Sequence, residues 1–168
     1  MPKLKSINPS NYEVLGEAEV STPKEVAQKV KRARGAQESW RQLGVAGRVA
    51  LLQRAFEEFR SRKAELVLLE AREMGMPLAE ADPDFDGTLD YARWYFDNAQ
   101  KYLKPEVTFE NDQEIHQVFY EPYGVAAVIT PWNFPFWKFC LGHFAKFNRR
   151  QYHYLQMLRR NSLVWQNY

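Results

Sequence analysis

The chain has 168 residues, a formal net charge of +2, one cysteine and 45% apolar residues. That length suits one domain with a sizeable core, and near-neutral charge demands no polyanionic partner. A single cysteine excludes an internal disulfide framework and fits a reducing compartment, and no apolar run reaches the ~20 residues of a membrane span. The start, Met1-Pro2-Lys3-Leu4-Lys5, is followed by no apolar stretch of the signal-peptide kind, so the expectation is a cytoplasmic protein.

Ile7 to Asn11 is turn chemistry, and Tyr12 to Val20 partly alternates, with Tyr12, Val14, Ala18 and Val20 as inward candidates of an edge strand or hairpin. Thr22-Pro23-Lys24-Glu25 reads as a helix start: Thr22 caps, Pro23 takes the first helical position and Glu25 completes a capping box. Val26, Val30 and Ala33 give that helix its apolar stripe. Gly44 and Gly47 interrupt the pattern after Leu43. Val45, Val49, Leu52, Phe56 and Phe59 then recur at steps of four and three, which predicts a helix with one apolar face. Ala64 to Met74 is a further helix, with Leu66, Val67, Leu68 and Leu69 expected out of solvent, ended by Gly75 and Pro77.

Leu89, Ala92, Phe96, Ala99 and Leu103 mark a fourth helix, and Trp94 and Tyr95 broaden its contact surface. Asp82-Pro83-Asp84-Phe85-Asp86-Gly87 opens like a calcium loop. The twelfth position, which such a loop fills with a bidentate acid, holds Arg93, so the segment reads as an acidic helix start favoured by the helix dipole. Val107 to Glu110 and Ile115 to Tyr120 read as two strands joined by Asn111-Asp112-Gln113.

Pro122 and Gly124 punctuate a turn before Val125 to Ile129, a short uncharged apolar run of the kind buried on both faces in a parallel sheet. Pro131-Trp132-Asn133-Phe134-Pro135-Phe136 follows as a rigid, bulky loop. Ligands of open α/β sheets lie beyond the carboxyl ends of the strands, which puts Asn133 where a ligand is expected.

This stretch resembles the NAD(P)-dependent aldehyde dehydrogenase superfamily, in which a strand ending in Pro-Trp-Asn-Phe-Pro opens the cofactor domain. The resemblance covers about residues 5 to 139, with Ile7-Asn8-Pro9, the Ser21 to Glu25 helix start and Glu73 to Leu78 also in familiar places. It implies an α/β fold: the truncated N-terminal part of an aldehyde dehydrogenase, with a helical layer, edge or oligomerisation strands and the first strand of the Rossmann-like cofactor domain.

The resemblance also implies the chemistry. A cysteine thiolate attacks an aldehyde, a hydride leaves to NAD or NADP, and a glutamate activates the hydrolytic water. Asn133 is the implied donor to the oxyanion, and Ile129, Thr130, Pro131 and Trp132 line the cofactor and substrate side. One such amide donor is worth ~3–4 kcal/mol in the transition state. The implied substrate is a small aldehyde, such as succinate semialdehyde, and full-length relatives oligomerise. The family's nucleophile lies far downstream of this loop, so Cys140 is not matched to it, and neither the glutamate base nor the downstream glycine-rich cofactor turn is found. The chain by itself is therefore expected to be inactive.

His116, His143 and His153 show no metal-ligand spacing, and no metal site is expected. Residues 140 to 168 hold five of the 23 Lys and Arg and none of the 21 Asp and Glu. Lys146, Arg149, Arg150, Arg159 and Arg160 alternate there with Phe147, Tyr152, Tyr154 and Trp165. A small non-enzymatic protein that binds nucleic acid or a membrane through this tail is the alternative reading.

The preferred expectation for the tail is an aberrant, frame-shifted continuation that binds neither specifically. Met157 to Tyr168 can be encoded so that skipping one base gives CSEEIPWFGKI. Allowed codons back to Cys140 extend this to VWAILPNLIAGNTTIFKCSEEIPWFGKI, which resembles the family's next helix and strand, including its Lys-x-Ser-Glu segment.

Overall fold

The structure is a computed structural model that describes residues 3–120, 124–147 and 151–153. Strands β1 (Lys3–Ile7) and β2 (Val14–Glu19) form an antiparallel hairpin with a register shift at Ser6/Ile7. Its turn is built by Asn8, whose Oδ1 accepts from the Ser10 amide at 2.9 Å and the Ser10 hydroxyl at 2.7 Å, as asparagine turns do. Tyr12 lies in this turn at φ 61° and is 82% exposed, so it and half-exposed Val14 are not the inward positions that alternation indicated. The first strand carries a weak signal in the sequence because its inward face is only Leu4 and the polar Ser6.

Helix α1 (Pro23–Gly35) begins as its sequence predicts. Glu25 accepts from the Thr22 amide at 2.7 Å, and the Glu25 amide donates to Thr22 Oγ1 at 3.3 Å. Val26, Val30 and Ala33 are half-buried. A short α2 (Gln37–Gln42) leads to Gly44, whose φ of 63° turns the chain into α3 (Gly44–Ser61). Gly47 lies inside α3 rather than breaking it. Helix α4 (Lys63–Met74) stops at Gly75, left-handed at φ 68°, where a side chain would strike the Pro9 ring in the hairpin turn. Leu68, expected out of solvent, is 49% exposed, because Leu66, Val67, Glu70 and Ala71 form the buried face.

Helix α5 (Leu78–Tyr102) is longer than predicted: it starts directly after Pro77 and carries Pro83 within it. The Asp82 to Gly87 segment is helix, as its reading as an acidic helix start implied, and Lys63 reaches both Asp82, at 3.1 Å, and Asp86, at 2.8 Å. Strands β3 (Glu106–Glu110) and β4 (Ile115–Val118) form a hairpin exposed along its whole length. The second strand ends at Val118, two residues short of the expected Tyr120. The turn closes on Asn111 Oδ1, which accepts from the Gln113 and Glu114 amides.

Strand β5 (Gly124–Ala126) is followed by an irregular segment and helix α6 (Pro135–Phe147), then strand β6 (Gln151–His153), which pairs with β5 in parallel. This corrects one expectation: only Val125 and Ala126 of the apolar run lie in the strand, which pairs from Gly124 with a neighbour supplied by the basic tail. Pro122 and most of the tail lie outside the described residues. The main core sits among α3 to α6: Phe59 stacks on Phe85 at 4.7 Å between ring centroids, and Phe136 meets both edge-on at 5.2 and 5.4 Å. A smaller cluster packs Ala99 and Leu103 against Trp40, Val45, Val49 and Leu52.

Candidate functional site

The loop from Ala127 to Phe134 is fixed at both ends and exposed in the middle. Val128 is buried, and Pro135 and Phe136, which open α6, are fully buried. Between them Ile129 is 70% exposed, Trp132 is 66% exposed, and Pro131 and Asn133 also face solvent. The predicted positions thus fall on one projecting segment, whose apolar side chains stand outward although burial is their usual preference. Thr130 differs: its hydroxyl oxygen is buried with no hydrogen-bond partner, beside α6.

The entry into α6 places Asn133 chemically. The Lys138 amide donates to the Phe134 carbonyl at 2.9 Å, so Phe134 is the residue at which the helix begins. Phe134 has φ 54°, a conformation that costs a bulky residue free energy and persists only where packing holds it. Buried Pro135 and Phe136 supply that hold. Asn133 therefore stands just ahead of the amino terminus of a 13-residue helix, where unpaired amides and the helix dipole favour negative charge. An amide side chain beside such an end can donate to a developing oxyanion without changing its own charge.

Cys140 is on the inner face of α6 and 1% exposed, packed with Ala92 against Tyr91, Tyr95, Phe96 and Phe139. Burial, and secondarily the charge of Asp84, push its thiol well above the usual range, which keeps it protonated and a poor nucleophile. The structure thus separates Cys140 from Asn133 in role: one is core, the other projects outward. Among the described residues no group of three or more His, Cys, Asp or Glu is arranged to hold a metal ion.

Sequence reading missed a buried polar group between α4 and α5. Glu70 and Thr88 are fully buried, and burial raises the Asp84 carboxyl, with neighbouring Glu70 opposing the rise. The signal was present: Glu70 shares its helical face with Leu66 and Val67, and Asp84 and Thr88 are one turn apart on α5. The side chains of Lys146, Arg149, Arg150, Arg159 and Arg160 lie outside the described residues.

The sequence pattern of the aldehyde dehydrogenase family matches residues 2–145. The chain is 35% identical over 135 residues to 1-pyrroline-5-carboxylate dehydrogenase 2 of Bacillus subtilis (strain 168), covering 80% of this chain and 26% of that protein. It is 34% identical over 130 residues to D-glyceraldehyde dehydrogenase (NADP(+)) of Thermoplasma acidophilum, covering 76% and 26%. Among solved structures, succinic semialdehyde dehydrogenase from Streptococcus pyogenes in complex with NADP+ superposes with a TM-score of 0.85 at 23% identity, covering 98% of this chain and 36% of that one. An aldehyde dehydrogenase from Bacillus cereus superposes with a TM-score of 0.83 at 26% identity, covering 92% and 32%. The chain spans about a quarter of the length of these curated relatives, and its fold corresponds to the N-terminal part of theirs. On the match over residues 2–145, the chain belongs to the aldehyde dehydrogenase family.

Proposed function

We propose that this chain carries the oxyanion-binding and cofactor-facing loop of an NAD(P)-dependent aldehyde dehydrogenase and is inactive without the remaining share of that fold. The observation that carries the reading is the placement of Asn133, exposed on a loop anchored at both ends and just ahead of the amino terminus of α6. In this reading Asn133 donates its side-chain N–H to the oxygen of a small aldehyde under attack. Ile129, Pro131 and Trp132 offer an apolar surface to the cofactor and substrate, and Thr130 supplies a hydroxyl at their base.

These features fit a nicotinamide dinucleotide: an exposed apolar strand-end loop, a buried hydroxyl with no internal partner, and a helix amino terminus. NAD or NADP, when bound, accepts the hydride. Cys140 is excluded as the nucleophile by its burial, so the attacking thiolate and the glutamate base belong to sequence this chain does not contain. We place the protein in the cytoplasm; among the described residues no helix is long and apolar enough to cross a membrane.

Residues 140 to 168 we read as a frame-shifted continuation without specific affinity for nucleic acid or membrane. The absence of acids from that stretch supports this, as does the peptide VWAILPNLIAGNTTIFKCSEEIPWFGKI obtained from allowed codons one base on. We put the change of frame near codons 139 and 140, at the head of that stretch. The coding nucleotide sequence tests it: the shifted frame should stay open beyond codon 168 and reach a cysteine and a glutamate. A shifted frame that stops at once returns the tail to being a genuine basic segment, and tight, sequence-selective RNA binding that is lost without it favours the alternative function. For the enzyme reading, rigorously purified chain should form no NAD(P)H with small aldehydes. Turnover that disappears in Asn133→Ala would show that the chain holds a complete site.

A further inference from the structure

We propose that Trp137, Tyr91, Tyr95, Trp94 and Tyr102 form a relay that carries an oxidising equivalent away from the α5–α6 interface, beside buried Cys140, to the protein surface. This stands independently of the dehydrogenase reading. The rings are in sequence: Trp137 to Tyr91 is 5.1 Å between centroids, Tyr91 to Tyr95 5.0 Å, Tyr95 to Trp94 5.1 Å and Trp94 to Tyr102 6.0 Å. Every member is tryptophan or tyrosine, the two aromatic residues that lose an electron most readily. Gly87 allows the contact with α6: a Cβ there would already touch the Trp137 ring at 3.4 Å.

Burial falls along the line. Cys140, packed against Tyr91 and Tyr95, is 1% exposed; Trp137, Tyr91 and Tyr95 are half-buried; Trp94 and Tyr102 are half-exposed. The phenols of Tyr91 and Tyr95 are hydrogen-bonded at 3.0 Å, which gives a proton a path between them.

The relay balances as follows. A one-electron oxidant, such as the sulfate radical anion, takes an electron from the Trp137 indole and becomes sulfate. Tyr91 returns an electron to Trp137, its phenolic proton passes to water, and Tyr91 becomes the neutral phenoxyl radical. Tyr95 then transfers a hydrogen atom to Tyr91 along the shared hydrogen bond, leaving the radical on Tyr95. A thiolate in solution donates an electron through Tyr102 and Trp94, a proton returns from water, and Tyr95 is restored while the thiolate becomes a thiyl radical. The net reaction reduces the oxidant at the expense of the external thiolate and spares Cys140 from the oxidation ladder.

The experiment exposes the whole chain, with glutathione present, to a limited dose of photogenerated sulfate radical and maps oxidised residues by peptide mass spectrometry. Two variants are compared with the wild type: Tyr91→Phe, which keeps the ring and removes the phenol, and Trp94→Phe, an exposed change that narrows the outlet without touching the core. The relay predicts that oxidation of Trp137 and Cys140 rises several-fold in both. No rise in either overturns it. A rise in Tyr91→Phe alone also overturns it, since that outcome reports loosened packing around Cys140 rather than a conducting path.

Discussion

Gly142 on α6 lies against Val128 in the loop that carries Asn133: a Cβ at position 142 would overlap Val128 Cγ1 and crowd Thr130 Cγ2 at 3.3 Å. The helix and the loop are thus held together by a missing side chain. Val128 is β-branched and buried, so it has little freedom to give way. Gly142→Ala should cost about 1–3 kcal/mol through overpacking. It should also raise hydrogen exchange at residues 128–133. Unchanged stability and exchange would show that the loop is positioned by something else.

The two ends and the middle of the same loop should respond differently. Phe136→Ala removes a ring packed edge-on against the Phe59–Phe85 stack and should cost ~3–5 kcal/mol. Ile129→Ser, at a position 70% exposed, should change stability by no more than ~0.5 kcal/mol. Urea denaturation of both variants measures this, and a large loss from Ile129→Ser would mean that the loop packs against the body of the chain.

The helical layer was legible in the sequence because its signals are local. Thr22 and Glu25 form the capping box their spacing implied, and Gly75 ends α4 in the conformation glycine favours. The loop was legible for the opposite reason: its bulky residues and prolines have no role in a helix or an alternating strand. What could not be read depended on partners distant in sequence. β1 is recognisable only beside β2, and β6 only beside β5. Proline inside a helix is usually a breaker, so with Pro83 as its sixth residue α5 reads as starting at Asp82 and the turn from Leu78 to Ala81 is missed. The role of Asn133 rests on family resemblance; physical reasoning supplied its place at the end of a strand, and the structure supplied its exposure.

The helix start can be tested alone. Thr22→Ala removes the side chain that accepts from the Glu25 amide and should cost ~0.5–2 kcal/mol. Thr22→Ser should restore most of it. Equal losses in the two variants would mean that the methyl group, rather than the capping oxygen, matters.

Asp84 gives a pH signature. Burial raises its carboxyl above the ordinary value of 3.8, so the folded chain binds that proton more tightly than the unfolded chain. Its contribution is fully present below the ordinary value and is lost as pH rises through the raised folded value. Asp84→Asn, which cannot ionise, should therefore be more stable than wild type at neutral pH, with the difference shrinking as pH falls toward 4. Urea midpoints across that range decide it; a constant difference would place the effect of the substitution in packing rather than charge.

The central claim is that Asn133 is an oxyanion donor awaiting the rest of its fold, and a chimera tests it most directly. Residues 2–139 would replace the matching segment of Bacillus subtilis 1-pyrroline-5-carboxylate dehydrogenase 2, and aldehyde-dependent NAD(P)H formation would be measured with and without Asn133→Ala. The account predicts an active chimera whose kcat falls roughly 10²- to 10³-fold in Asn133→Ala while the fold is retained. A chimera that turns over equally well with alanine at position 133 would contradict it.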